Sequence, residues 1–588
     1  MRRFSSYGPV DAKRHFCVER RDLVEQCVAQ LIGDEEEGHY FTIWAPRQTG
    51  KTWLMRQAID KIRDRFGDRF IVGSLSMQGI GLSGNQPREA FLGKVSGLFQ
   101  RGLKQKVKQP EDWDTWIELF SEEADVFDRP LLLFIDEFDS LPRETIDHLV
   151  ALFRDMYLYP ETTLLHGLAL IGVRAVLGIE SNRGSPFNVQ RSLQVLNLTN
   201  AEVDEMFEQY QTESGQTVEP EVRTAVYQAT RGQPGLVSWF GELLTEKYNP
   251  EPALRLSDPQ NELKSQTTTQ NRDSVEPSRN HTVHNAANRG GDNAGDRGMG
   301  GTPSRRLTPI SMTTWRQVYA AALDVEPNNT VLNLIAKARS EAYHPYVSKL
   351  FSEPDLPFSF RKDWCSYLYL NGIIDYKTVE RRTDSDYLGH TTHTCKFSSP
   401  FVQQCLFDAF TEDIVGEKLP VRALDPKDGL DDVYTARGLE LPRLLNRYKT
   451  YLAQLETAGI DPWKDQPRRK DLRLTEAVGH FHLYAWLREA LGRQCVISPE
   501  FPTGNGKVDL VIRWQGHMGV IEVKSFTELR DVPTARRQAA HYAIKLKLSQ
   551  ATLVLFVPIS GDDDFLQALS TQETIDDVQV NTVAIAWR

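Results

Sequence analysis

The chain has little that would cross-link it or hold it in a membrane. Its six cysteines (Cys17, Cys27, Cys365, Cys395, Cys405 and Cys495) are scattered through 588 residues with no Cys-x-x-Cys pair. That excludes a disulfide framework and the common zinc spacings, and it points to free thiols in a reducing compartment. His390-Thr-Thr-His-Thr-Cys395 resembles a run of metal ligands, but its composition reads better as a polar strand or turn. The longest apolar stretch, Leu164 to Ile179, is broken by His166 and Arg174, and a spanning helix needs about 20 apolar residues. The N-terminal residues carry charge without an apolar core, so a signal peptide is not expected. The expectation is a soluble, cytoplasmic protein with no membrane partner. A basic excess is also missing: the formal net charge is −11. Any contact with nucleic acid must therefore come from a local patch or a metal-lined cleft.

What is present suffices for several cores. A chain of 588 residues with 40% hydrophobic and 25% charged residues predicts two to four globular domains. The most informative stretch is Phe41-Thr-Ile-Trp-Ala-Pro-Arg-Gln-Thr-Gly-Lys-Thr52, followed by helical spacing from Trp53 to Ile62. A short β-prone run, a loop, Gly-Lys-Thr and a helix are in the order a P-loop requires. Loop N–H groups and the positive end of the helix converge on one place, where phosphate binds. Ala45, Pro46, Arg47, Gln48, Thr49 and Gly50 form the cradle, with Ala45 where the usual pattern has glycine. Lys51 is expected to reach the β- and γ-phosphates, and Thr52 to give its hydroxyl to Mg²⁺.

A second apolar run, Arg129 to Ile135, ends in Asp136 and Glu137. It reads as a strand buried on both faces of a parallel sheet. Asp136 at its end is expected to hold the Mg²⁺, and Glu137 to activate water. Further strands are expected at Arg69–Leu75 and Leu165–Val173. Helices are expected at Glu19–Ile32, Pro87–Lys106, Trp113–Phe127, Arg143–Tyr157, Asn200–Ser214 and Glu219–Ala229, the last two opening a small helical lid. Arg174, just past a strand end, is placed to sense the γ-phosphate or to act across a subunit boundary of a homo-oligomer. Gly8 and Pro9 either flank adenine or form an ordinary loop.

Ala45–Thr52, Ser185-Pro-Phe-Asn188 and Thr230-Arg-Gly-Gln-Pro234 resemble the bacterial AAA-like ATPases related to the STAND class. Gly232 and Pro234 match their Gly-x-Pro signature. The resemblance covers residues 1–250 and implies ATP as the nucleotide. Residues 251–309 are nearly devoid of apolar side chains and are expected to be a disordered linker. Residues 310–412 read as helices followed by a hairpin, a winged-helix-like pattern that either touches DNA or joins domains. Residues 413–470 form a helical connector.

The last stretch, 471–588, holds a second set of chemical groups. An amphipathic helix is expected from Leu474 to Leu491, then a strand from Val496, then a hairpin built from Gly504–Ile512 and Met518–Ser525. Asp509 lies on one hairpin strand and Glu522 and Lys524 on the other, the last two on one face because they are two apart. Two carboxylates are hard ligands for Mg²⁺, and Lys524 is placed to position or help deprotonate a water. Asp509-x12-Glu522-Val-Lys524 resembles the PD-(D/E)XK nuclease superfamily, although Val508 replaces the usual proline. Glu476 matches the extra acid on the preceding helix, and Gln538 and Tyr542 match its Gln-x3-Tyr motif. Arg530, Arg536, Arg537, Lys545 and Lys547 are candidates for a local basic patch.

The expected fold is α/β: a P-loop NTPase parallel sheet with a helical lid, a winged-helix-like α+β middle domain, and a C-terminal α/β PD-(D/E)XK nuclease-like domain. The expected function is an ATP- and Mg²⁺-dependent nuclease acting on DNA, with RNA left open. It would hold one Mg²⁺ with the nucleotide and one or two at the nuclease-like site. The competing reading is a STAND-like signalling switch whose C-terminal domain only binds nucleic acid or protein.

Overall fold

The computed structural model describes residues 1–33, 38–82, 86–172, 192–254, 307–352, 356–381, 390–416, 418–425, 428–436, 438–464, 466, 468, 475–502, 507–559 and 563–587. The sequence-expected linker 251–309, Arg174 and Ser185–Asn188 lie wholly or mainly outside these residues.

The N-terminal unit is built on a five-stranded sheet. Its strands are β1 (Tyr40–Trp44), β2 (Ile71–Ser76), β3 (Leu131–Asp136), β4 (Leu165–Gly172) and β5 (Ser192–Gln194). Their order is β2-β3-β4-β1-β5, and every pairing is parallel. β3 shows why an unbroken apolar run is needed. Leu131, Leu133 and Ile135 pack into the core on one face, and Leu132 and Phe134 into the core on the other. Each such fully buried side chain contributes about 1.5–3 kcal/mol relative to exposure. The flanking helices are α1 (Arg21–Ile32), α2 (Lys51–Phe66), α3 (Val95–Gly102), α4 (Trp113–Glu118) and α5 (Arg143–Leu158).

Two expected helices are shorter than their periodicity suggests. Residues 88–94 form a 3₁₀ turn before α3, and Gly102 closes α3 because a Cβ there would lie 2.0 Å from the Ser74 carbonyl oxygen. α4 stops at Glu118, and Asp125 then turns left-handed at φ 51°.

α6 (Asn200–Ser214), α7 (Pro220–Thr230) and α8 (Pro234–Glu242) follow. Thr199 and Glu202 form a reciprocal capping box at the start of α6, which fixes its first turn. The N-terminal residues pack here: Phe4 meets Phe16 and Phe207 at 5.1 and 5.0 Å between ring centroids. Gly8 and Pro9 lie on a segment tied to α2 by Arg56 donating to the Val10 carbonyl, and to α8 by Ser6 donating to Glu242.

The middle unit holds α9 (Met312–Asp324), α10 (Asn329–Ala338), α11 (His344–Ser352), α12 (Asp363–Leu370), an antiparallel pair β6 (Ile374–Arg381) and β7 (His390–Phe397), and α13 (Pro400–Val415). Phe240 of α8 packs on Trp315 of α9 and Phe401 of α13, so apolar contact continues from the lid into this unit. A small pair, β8 (Tyr434–Thr435) and β9 (Gly438–Leu439), and α14 (Leu441–Thr457) lead on to the C-terminal unit.

That unit contains α15 (Glu476–Leu491), β10 (Val496–Pro502), β11 (Lys507–Trp514), β12 (His517–Ser525), α16 (Val532–Lys545), β13 (Gln550–Val557), α17 (Asp563–Leu569), β14 (Gln572–Ile575) and β15 (Val578–Ala586). The strand order is β10-β11-β12-β13-β15-β14. β13 runs parallel to both β12 and β15, and the remaining pairs are antiparallel. α15 is not amphipathic as expected. Its residues are buried nearly all round, because α13 covers the side away from the sheet through contacts such as Phe407 on Phe481.

Candidate functional site

The first site lies where β1 ends. Tyr40 to Ile43 are buried in the sheet, and the chain leaves it through Ala45 to Gly50 before α2 begins at Lys51. The loop turns left-handed at Gln48 and Gly50, with φ of 58° and 91°, and not at Ala45. Alanine therefore fits where the common pattern has glycine. Thr49 closes the loop by donating to the Pro46 carbonyl at 2.9 Å.

The Lys51 ammonium donates to the Ala45 and Pro46 carbonyls at 3.0 and 2.8 Å. Burial pushes its pKa down to about 8, against the opposing influence of Glu137, Asp139 and Asp136. A buried cation held only by neutral carbonyls gains from an incoming anion. Thr52 donates to Asp136 Oδ2 at 2.9 Å, which brings the two expected Mg²⁺ ligands of this site together. The residues thus suit a magnesium nucleotide: a hydroxyl and a carboxylate for the metal, and an ammonium with helix N–H groups for phosphate.

Glu137 follows in a left-handed conformation, φ 55°, and its N–H donates to Asp136 Oδ1. Burial, with Asp136 and Asp139 nearby, raises the Glu137 carboxyl above its ordinary range. The lid closes on the loop from the other side. A Cβ on Gly235 would lie 2.2 Å from Gln48 Oε1, and one on Gly232, already at φ 70°, would lie 1.8 Å from the Leu198 carbonyl oxygen. Gly232 is therefore fixed by close approach to backbone, whereas Gly235 meets the movable end of Gln48. Sequence reasoning missed Asp139, whose Oδ1 is buried without a hydrogen-bond partner. Its signal was the third acid in Asp136-Glu-Phe-Asp139. It also missed Trp44, whose ring lies 5.9 Å from Phe360 and 6.4 Å from Tyr369 of the middle unit.

The second site lies on the C-terminal sheet. β11 and β12 pair Leu510 with Ile521 and Val511 with Val520, so the same register sets Asp509 against Glu522. Val511 and Val520 pack with Ala539, Ala540 and Tyr542 of α16. Leu510, Ile521 and Val523 join the core on the α15 side. The pleat therefore sends Asp509, Glu522 and Lys524 to the face on which α16 lies. The Lys524 ammonium is 2.8 Å from Glu476 Oε1, on the first residue of α15, and 2.9 Å from Glu522 Oε1. Asp509 Oδ2 accepts from the Val523 N–H at 2.6 Å, while His480 Nε2 is 2.8 Å from the Asp509 carbonyl oxygen. His480, one helical turn after Glu476, was also missed. Gln538 donates to the Tyr542 hydroxyl at 2.7 Å on α16.

Burial lowers the Lys524 pKa, but Glu522 and Glu476 more than offset this and raise it well above the ordinary lysine value. The two carboxylates hold the ammonium where it can position a water. One expectation changes here: the basic patch is smaller than expected. Arg536 is engaged with Thr582, Glu573 and the Leu569 carbonyl, and Arg530 pairs with Glu528 at 2.7 Å.

The acids at this site suit a cation. Burial and the neighbouring Asp509 push the Glu522 carboxyl well up, and its Oε2 is buried without a partner. Among the described residues no group of three or more His, Cys, Asp and Glu side chains is gathered for a metal ion. A metal here would rest on Asp509, Glu522 and water.

Comparison with known proteins bears on the first site. Residues 5–250 match the family model of the AAA-like domain, and this N-terminal part of the chain is a P-loop ATPase domain. No curated protein matches the chain. Among solved structures, a Walker-type ATPase of Pyrococcus abyssi is 14% identical, with a TM-score of 0.36 over 68% of this chain and 99% of that one. The RuvB Holliday junction branch migration motor of Thermotoga maritima is 12% identical, with a TM-score of 0.29 over 61% and 89%. Cdc6p of Pyrobaculum aerophilum is 12% identical, with a TM-score of 0.32 over 69% and 98%. No described helix is long and apolar enough to cross a membrane.

Proposed function

We propose that the chain is an ATP- and Mg²⁺-dependent nuclease in which nucleotide turnover in the N-terminal domain gates cleavage of DNA by the C-terminal unit. One observation carries the nuclease half. Asp509, Glu522 and Lys524 of the hairpin meet Glu476, from a helix 48 residues before Lys524, with a buried carboxylate oxygen of Glu522 left open. Asp509 and Glu522 would hold Mg²⁺, which lowers the pKa of a bound water and neutralises charge on a phosphodiester. Lys524 would hold the water or a phosphate oxygen. Glu476 would fix the Lys524 ammonium, and Gln538 and Tyr542 would line the substrate side from α16. In the N-terminal domain, Lys51 would hold the β- and γ-phosphates, Thr52 and Asp136 the nucleotide's Mg²⁺, and Glu137 would take the proton of the attacking water.

The test is cleavage of plasmid and single-stranded DNA with Mg²⁺, with and without ATP, by wild type, Asp509→Ala and Lys51→Ala. Cleavage lost in Asp509→Ala and altered in Lys51→Ala supports the reading. Intact ATP hydrolysis with no cleavage by wild type would overturn the nuclease and leave the signalling switch.

A further inference from the structure

Asp139 is two residues beyond Glu137, in a 3₁₀ turn over Phe138–Ser140, and belongs to no expected ligand set. Its side chain is wedged against the end of β4. A Cβ on Gly172 would lie 2.9 Å from Asp139 Oδ1 and 3.2 Å from its Cγ. That oxygen is buried and accepts no hydrogen bond, although an unsatisfied buried acceptor costs about 1–3 kcal/mol. Gly172 pairs with Trp44, the residue before Ala45, so Asp139 lies beside the start of the nucleotide loop, and its charge acts on Lys51 and Glu137. Within the chain this oxygen therefore has an open acceptor position.

We propose that Asp139 is a catalytic residue of the ATPase, accepting a hydrogen bond from the attacking water; this rests on the ATPase reading of the site. Two acids then hold one water. The water oxygen forms a bond to the γ-phosphorus as the bond from that phosphorus to the β,γ-bridging oxygen breaks. One water proton passes to Glu137, the other stays on the oxygen and points to Asp139 Oδ1, and ADP leaves with the electron pair of the broken bond. Gly172 is glycine because any side chain would displace the Asp139 carboxylate from this position.

The experiment measures steady-state ATP hydrolysis and the binding of a non-hydrolysable ATP analogue by full-length wild type, Asp139→Ala, Asp139→Asn, Gly172→Ala and Glu137→Gln. Losing the acceptor should lower kcat about 10–100-fold, the scale expected when a reacting group is misplaced. The KM for ATP and the analogue affinity should stay within threefold. Asp139→Asn keeps an acceptor oxygen and should recover part of the rate, while Gly172→Ala should reproduce the defect with Asp139 intact. Wild-type hydrolysis with Asp139→Ala within twofold of it would overturn the role of Asp139 alone. Loss of analogue binding in Asp139→Ala would also overturn it, making the residue part of the binding site. A wild type that hydrolyses no ATP would overturn the ATPase reading and this role together.

Discussion

Thr52 and Asp136 are 84 residues apart in sequence, yet the Thr52 hydroxyl donates to Asp136 Oδ2 at 2.9 Å. One begins the helix after β1 and the other ends β3, so the contact exists only because β4 spaces those strands in the sheet. Removing either side of a site built for Mg²⁺ should separate metal-dependent from metal-independent nucleotide binding. Thr52→Ala and Asp136→Ala are expected to lower the affinity for MgATP about tenfold or more, the range for loss of a charge-assisted ligand. Binding of ATP in EDTA should change little. Fluorescent-nucleotide titrations with and without Mg²⁺ check this, and an equal loss in both conditions would refute the assignment.

Lys524 lies between Glu476 and Glu522, and Glu522 is almost fully buried. Removing one partner of a buried ion pair typically costs about 3–5 kcal/mol. Lys524→Met should destabilise the chain on that scale in urea unfolding, because two acids are left facing each other without a cation. The double variant Lys524→Met/Glu522→Gln should recover much of the loss. If Lys524→Met were as stable as wild type, the acids would not depend on the ammonium.

The sequence made legible those parts whose causes are local. Leu131 to Ile135 revealed a doubly buried strand because every position is apolar. The placement of Asp509 and Glu522 on neighbouring strands could be read because a hairpin is a local element. What could not be read depends on packing between distant segments. α15 carries polar His480 and His482, which suggested an exposed face, but α13 and α14 cover it. The contact of Lys524 with Glu476 depends on a helix 48 residues upstream. Asp139 became visible only when Gly172 closed over it.

His482 provides a test by pH. It is fully buried, its Nδ1 is 2.6 Å from the Tyr448 hydroxyl, and its ring is 4.8 Å from Trp463. Burial lowers its pKa to about 4 from 6.5. The unfolded chain therefore binds a proton below pH 6.5 that the folded chain refuses until pH 4. The stability this neutral ring allows is complete above pH 6.5 and is lost as pH falls toward 4, by about 3 kcal/mol from a shift of this size. His482→Gln should be less stable than wild type at pH 7.5, with a flatter loss of stability between pH 6.5 and 4. Denaturant melts followed by tryptophan fluorescence would report it, and parallel slopes for the two proteins would count against the assignment.

Trp44 brings the start of the nucleotide loop against the middle unit. It directly precedes Ala45, and its ring packs edge-on to Phe360 and tilted to Tyr369. Gln194 on the neighbouring strand β5 donates to the Tyr369 hydroxyl at 2.8 Å. On the proposed function the Lys51 ammonium would exchange the Ala45 carbonyl for phosphate, freeing a backbone oxygen next to Trp44. From there contact runs through Tyr369 on Phe358, the middle-unit core and Phe407 of α13, to Phe481 of α15. Glu476 begins that helix. Trp44→Ala removes the aromatic contact and should cost about 2 kcal/mol, below the usual 3–5 for a fully buried aromatic, because the ring is half-buried. The sharper expectation concerns coupling. Hydrogen exchange at α12 and α15 should differ between nucleotide-free and ATP-bound wild type, and the difference should vanish in Trp44→Ala while ATP still binds. A difference of equal size in the variant would mean that the nucleotide state reaches the C-terminal unit by another route.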